Sequence, residues 1–127
     1  MFAKIADELV IYQIALQLAK EIDEIIKQIP HYWDIKESDQ ILRSSSSAPS
    51  NIAEGFAQRF YPKKFIYFLN ISIGSSDESQ THMEKLRNNG HVKIEIADNY
   101  IKRYKNLSVR ILNFINYLKK KHNIILG

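Results

Sequence analysis

From Arg43 to Gly55 the chain reads Arg-Ser-Ser-Ser-Ser-Ala-Pro-Ser-Asn-Ile-Ala-Glu-Gly, and further on, from Ile73 to Glu78, Ile-Gly-Ser-Ser-Asp-Glu. Both runs interrupt segments whose apolar spacing is helical. Serine, glycine and proline are poor residues for a helix interior, so local propensity works against the pattern and tertiary contact must hold it. Ser72, Gly74, Ser75 and Ser76 carry almost no side-chain bulk and let another backbone come close. The equally small segment from Ser44 to Ala53 is the natural partner, which predicts an unusually tight helix pair.

The rest of the chain carries helical periodicity. Ile5, Leu9, Tyr12, Leu16, Ala19, Ile22, Ile26 and Ile29 recur near a 3.6-residue spacing, predicting a helix from Ala3 to about Ile29 with this stripe on the core. A second stripe of Ile11, Ile14, Ala15, Leu18 and Ile25 exceeds what a monomeric surface helix needs and predicts a subunit contact. Pro30 ends this helix, and His31, Tyr32 and Trp33 form an aromatic corner. The next helix begins near Glu37 or Ser38, with Ser38 as N-cap, and Pro49 in its interior predicts either a kink or a break into two helices. A third spans Pro62 to Asn88, with proline suited to its first turn and Asn89-Gly90 as its stop. Phe65, Phe68, Leu69, Ser72, Ser76, Met83 and Leu86 line its inner side. The last helix, about Lys93 to Lys121, repeats Ile94, Ala97, Ile101, Tyr104, Ser108, Ile111, Ile115 and Leu118, and Ile124, Ile125 and Leu126 follow as a tail. Short connections make consecutive helices neighbours. The expected fold is a single all-α domain over residues 1–127, an antiparallel up-and-down four-helix bundle with a Pro-kinked second helix.

Arg43, Ser47, Pro49, Asn51, Ile52, Ala53, Glu54 and Gly55, followed by Gly74, Ser75 and Glu78, carry a family resemblance. The pattern resembles that of the four helix bundle proteins, also called the 23S rRNA intervening-sequence protein family. That family has a basic residue, small residues and Ser-Ile-Pro-x-Asn-Ile-Ala-Glu-Gly, then a helix with Gly-Ser-x-x-Glu. Chain length and helix order agree with it as well. Ala48 stands where the family prefers Ile, and Ser79 where Leu is usual; both thin the apolar packing. The resemblance implies a homo-oligomeric ring, with a pentamer favoured. Through the related accessory protein of diversity-generating retroelements it also implies a nucleic-acid or reverse transcriptase partner. The family name refers to genes within ribosomal RNA intervening sequences and does not imply a ribosomal component.

Net charge is +4, unevenly spread. From His91 onward eight Lys and Arg face only Glu95 and Asp98, while the preceding residues carry a net −2. A basic last helix on a near-neutral body attracts polyanions, and Lys102, Arg103, Lys105 and Arg110 are the expected nucleic-acid contacts, RNA or DNA, with Tyr117 on their flank. The chain has no cysteine, hence no disulfide or thiolate site. Its start lacks the basic-then-apolar pattern of a secretion signal, and its longest apolar run, Val10 to Leu18, is too short to span a bilayer. The expected location is the cytoplasm, with no membrane association.

Catalytic chemistry finds little footing. Glu54 and Glu78 are expected to be half-buried in a polar network with donors such as Arg43, Ser47, Asn51 and Ser75. Di-iron bundles need Glu-x-x-His on two helices, whereas Glu78 lies four before His82 with no second pair, so no metal or cofactor is expected. The serine run lacks a Gly-x-Ser-x-Gly or Ser-x-x-Lys context, and helical hydroxyls bond back to their own carbonyls. Arg87 and His91, separated by three residues, mirror loosely the Arg and His of HEPN-class ribonucleases and supply the enzyme-class alternative. The favoured expectation is a non-enzymatic bundle that binds nucleic acid or a nucleoprotein partner. A structural protein-interaction module is the third reading.

Overall fold

The computed structural model describes residues 9–30 and 34–124. Four helices account for nearly all of them: α1 (Val10–Lys27), α2 (Ile35–Ala57), α3 (Pro62–Asn88) and α4 (Ile94–Lys121). Each packs on the next in chain order and α4 closes back on α1, while the diagonal helices stay apart. This is the expected up-and-down bundle. The α2–α3 contact is the most extensive and the α1–α4 contact the narrowest. The predicted start at Ala3, the core position Ile5, the aromatic corner and the tail residues Ile125 and Leu126 lie outside the described residues.

Local chemistry sets the helix ends. Pro62 opens α3, where its missing N–H costs nothing. At the other end Gly90, with φ +79°, sits in the left-handed region, and the N–H of His91 reaches the Leu86 carbonyl at 2.9 Å. Asn123 repeats the motif after α4, with φ 51° and the Ile124 N–H on the Lys119 carbonyl at 2.8 Å. For α2 the cap is Asp34, which accepts from the Glu37 N–H at 3.4 Å, so the helix starts one turn before the expected Ser38; Glu37 and Ser38 are buried instead. Helix α2 then runs unbroken through Pro49, removing the two-helix alternative.

One expectation about α1 is corrected. Ile11, Ala15 and Leu18, assigned to a subunit contact, are buried with Ile22 and Ile26 in the chain's own core. Tyr12, Leu16 and Ala19, assigned to the core, are only half-buried. With two apolar stripes side by side, the choice of inner stripe is made by where α2 and α4 lie, which α1 alone does not encode.

The small residues meet as expected, through serine hydroxyls. Ser72 donates to the Ala48 carbonyl at 2.8 Å, Ser75 to Ser47 Oγ at 2.8 Å, and Ser44 and Ser79 lie 2.8 Å apart. A second seam links α3 to α4, where Ser76 donates to the Tyr104 carbonyl at 2.9 Å. Side chain to backbone bonds between helices require the backbones to be close, which serine permits and leucine does not. Ser79 is fully buried, so a polar contact with Ser44 stands where apolar packing would otherwise fill the seam.

The glycines divide differently from expectation. A Cβ at Gly55 would stand 3.0 Å from Phe65 Cδ1, 3.1 Å from Phe68 Cβ and 3.2 Å from the Phe65 carbonyl oxygen. At Gly74 it would meet nothing within 4 Å, because this residue is exposed and takes no part in the seam. Gly55 is the close-approach glycine.

Candidate nucleic-acid interface

Arg43, Ser47, Asn51 and Glu54 follow at spacings of four, four and three, which places them on one stripe of α2. Ser47 and Asn51 are tied into the seam: Asn51 Nδ2 donates to Ser47 Oγ at 3.0 Å and to the Ser47 carbonyl at 2.9 Å. Arg43, Glu54 and Glu78 are exposed and make no ion pair among the described residues. Glu54 adjoins Gly55 at the level of Phe68, whereas Glu78 lies beside Ser79 at the level of Ser44. Ten residues of helix, about 15 Å, therefore separate the two carboxylates, and the expected half-buried network around them does not form. The serine hydroxyls are committed as well: Ser45 and Ser46 bond back to the Leu42 carbonyl, and Ser50 to that of Ser46.

The cations of α4 have two fates. Arg103 grips Glu21 of α1 with both guanidinium arms, at 2.8 and 2.7 Å, and Tyr100 donates to the same carboxylate at 2.9 Å. The Arg103 hydrogen bonds hold the Glu21 carboxyl far below the usual range, at about 2, against the opposing effect of burial. Arg103 thus pins α1 to α4 across the narrowest contact of the bundle. Lys102, Lys105 and Arg110 are exposed and make no ion pair among the described residues, free for external anions.

Arg87 and His91 do not converge on a shared site. Arg87 pairs with Asp98 at 2.6 Å, and His91 Nδ1 lies 3.1 Å from Asp34 Oδ2, so different carboxylates hold them. A part-buried contact that sequence spacing missed lies nearby: His82 Nδ1 is 2.6 Å from Glu37 Oε2 across α2 and α3, with Lys85 3.7 Å from the other oxygen. Forty-five residues separate His82 from Glu37, so no local motif signals it. Among the described residues no three His, Asp or Glu converge as metal ligands, and no helix is long and apolar enough to cross a membrane.

The opposite end of the bundle, where α2 and α4 finish and α3 begins, is different in kind. Arg59, Lys63 and Lys64 follow α2, and Lys119, Lys120, Lys121 and His122 close α4. No Asp or Glu occurs from Gly55 to Ser76 or from Asn99 to Asn123. Aromatic rings alternate with these cations. The Arg59 guanidinium lies 4.4 Å from the Phe56 ring centre and 4.7 Å from that of Phe60, Lys64 is 5.0 Å from Tyr61, and Lys121 is 6.0 Å from Tyr117. Phe65, Phe114 and Tyr117 continue the series, with Phe114 and Tyr117 stacked at 16°. Between the end of α2, the start of α3 and the end of α4 opens a cavity of about 470 Å³, with Arg59, Lys121 and His122 among its lining. Tyr117 was the residue singled out by sequence; Phe60 and Arg59 were not, since only folding brings the α2–α3 connection beside the end of α4.

Comparison with known proteins agrees with this architecture. Residues 7–113 match the profile of the 23S rRNA-intervening sequence protein family. A crystal structure from Bacteroides thetaiotaomicron, described as a protein of unknown function from the S23 ribosomal protein family, superposes with a TM-score of 0.73. It is 23% identical in sequence, and the match covers 84% of this chain and 98% of that one, a likeness of fold. No curated protein matches the chain.

Proposed function

The chain belongs to the 23S rRNA-intervening sequence protein family, and from that premise we propose that it is a non-enzymatic, homo-oligomeric bundle that binds nucleic acid, alone or with a protein partner such as a reverse transcriptase. The observation that carries this reading is the concentration of unneutralised cations at one end of the bundle, continued along α4 by Arg110, Lys105 and Lys102. Three lysines in a last turn would suit the helix dipole alone. Arg59, between α2 and α3, and Lys63 and Lys64, in the first turn of α3, raise the local charge beyond what one helix end requires. Electrostatic binding of this kind releases counterions and weakens steeply with salt. Titration of labelled RNA and DNA at a series of salt concentrations tests it: the expected result is a linear fall of log affinity with log salt, made shallower by Lys102→Ala, Lys105→Ala and Arg110→Ala. Absence of binding at low salt to any RNA or DNA refutes it.

Self-association rests on a different face from the one the α1 pattern suggested. Tyr67 is 61% exposed and Ile71 36% exposed on α3, beside Gly74 and the unpaired Glu78. A copy of the chain covering this face would bury the two apolar side chains and supply partners for Arg43, Glu54 and Glu78. The family resemblance favours five copies in a ring. Sedimentation of the wild-type chain and of Ile71→Glu checks this; a monomeric wild type at micromolar concentration removes it.

A further inference from the structure

We infer that the cavity at the basic end of the bundle is a binding site for an unstacked base of a single-stranded polynucleotide, an inference that rests on the nucleic-acid reading above and adds what the site recognises. A site built only for phosphate needs cations, not rings. Here the rim carries Phe60, 77% exposed, and Tyr117, 55% exposed, while Phe56, Phe65 and Phe114 line the interior. Large aromatic faces left in water beside lysines are costly unless a flat partner covers them, and nucleobases stack on such rings irrespective of sequence. The volume, about 470 Å³, falls in the range of small-molecule pockets and accommodates a base with its sugar.

Arg59 supplies the second, independent observation. Its guanidinium is held by the Phe56 carbonyl at 3.2 Å and by two aromatic rings, and no carboxylate neutralises it among the described residues. Its Nε is buried without a hydrogen-bond partner among the described residues. A half-buried charge with no counter-charge calls for an anion. The phosphates on either side of an inserted base meet that need, with Lys63 and Lys64 on one side of His122 and Lys121 on the other. Duplexes keep their bases stacked and cannot fill the cavity, so the site distinguishes single from double strands while tolerating any base.

The test compares four probes on the full chain by fluorescence anisotropy or competition: a short single-stranded RNA, the DNA of the same sequence, their duplex, and inorganic polyphosphate, which has charge and no bases. The expected result is single-strand binding at least about tenfold tighter than duplex or polyphosphate at physiological salt, the scale of one stacked base. Phe60→Ala with Tyr117→Ala removes that preference and leaves polyphosphate binding unchanged. Both side chains are exposed, and circular dichroism verifies that the variant is folded. Equal affinity for all four probes, unaltered in the variant, overturns the base site while the electrostatic reading stands. If no probe binds, both fall. If the double variant dissociates an assembly in sedimentation without changing single-strand affinity, the aromatic end is a contact between copies and the inference is also overturned. RNA against DNA decides only which sugar the site prefers.

Discussion

Two glycines given the same methyl group should respond differently, Gly74 with a gain in stability and Gly55 with that gain cancelled or reversed. Replacing a helical glycine by alanine stabilises a protein by roughly 1 kcal/mol, because the unfolded chain loses freedom and the helix gains propensity. Gly74→Ala receives all of this, since the new Cβ meets nothing within 4 Å. Gly55→Ala receives the same gain and also drives Cβ to 3.0 Å from Phe65 Cδ1 and 3.2 Å from its backbone oxygen. The ring could turn aside, but the carbonyl belongs to the first turns of α3, so the helix itself must move. Overpacking of that kind costs about 1 to 3 kcal/mol. The difference between the variants cancels propensity and leaves the steric cost alone, about 1 to 3 kcal/mol. Urea unfolding of both variants, at a concentration where the wild type sediments as a single species, gives the values directly. Thermal midpoints should separate by several degrees, at roughly 3 to 6 °C per kcal/mol for a domain of this size. If Gly55→Ala matches Gly74→Ala in stability, the close approach of α2 to α3 at Phe65 is refuted.

Other consequences are as direct. Glu21, with a carboxyl near 2 in the folded chain and near 4.5 when free, contributes stability that is complete above about pH 5 and declines as pH falls toward 2. Since Glu21 and Arg103 are about one-third exposed, solvent screening reduces the value to about 1 to 2 kcal/mol, measurable as the loss of that pH dependence in Glu21→Gln. Tyr104→Phe removes a buried hydroxyl that lacks a hydrogen-bond partner among the described residues, so unfolding should show no loss, or a gain of up to about 1 kcal/mol. Ser76→Ala gives up the bond to the Tyr104 carbonyl and should cost about 1 kcal/mol by the same assay. Leu18→Glu places a charge in the core and should unfold the chain, seen as lost helicity, instead of merely separating subunits.

The structure clarifies which sequence signals were sufficient. Proline at the first turn and Asn-Gly at the last depend on bonds within a few residues, and α3 spans Pro62–Asn88 as read. The small-residue pairing was also visible, but composition alone overextended it to Gly74. Ser72, Ser75, Ser76 and Ser79 follow the i, i+3, i+4, i+7 spacing of one helix face, and Gly74, two residues from Ser72, points to the other side. Direction on the helix, and not size, separates the two glycines. The Glu37–His82 contact, the Arg103–Glu21 clamp and the aromatic end each join positions dozens of residues apart. Such pairings arise from the closure of the bundle and have no periodicity to reveal them.

The separation of charge along the bundle also governs posture. A body with its unneutralised cations gathered at one end behaves as a dipole in the field of a polyanion and arrives end first. Standing upright, two helices abreast cover about 20 Å, some 6 base pairs' length of a duplex, whereas lying along the 28 residues of α4 would cover about 42 Å, or about 12. On the nucleic-acid reading, an upright bundle would occlude little lattice and leave room for neighbouring molecules on one strand. A flexible single strand would then turn up the flank of α4, where Arg110, Lys105 and Lys102 continue the charge.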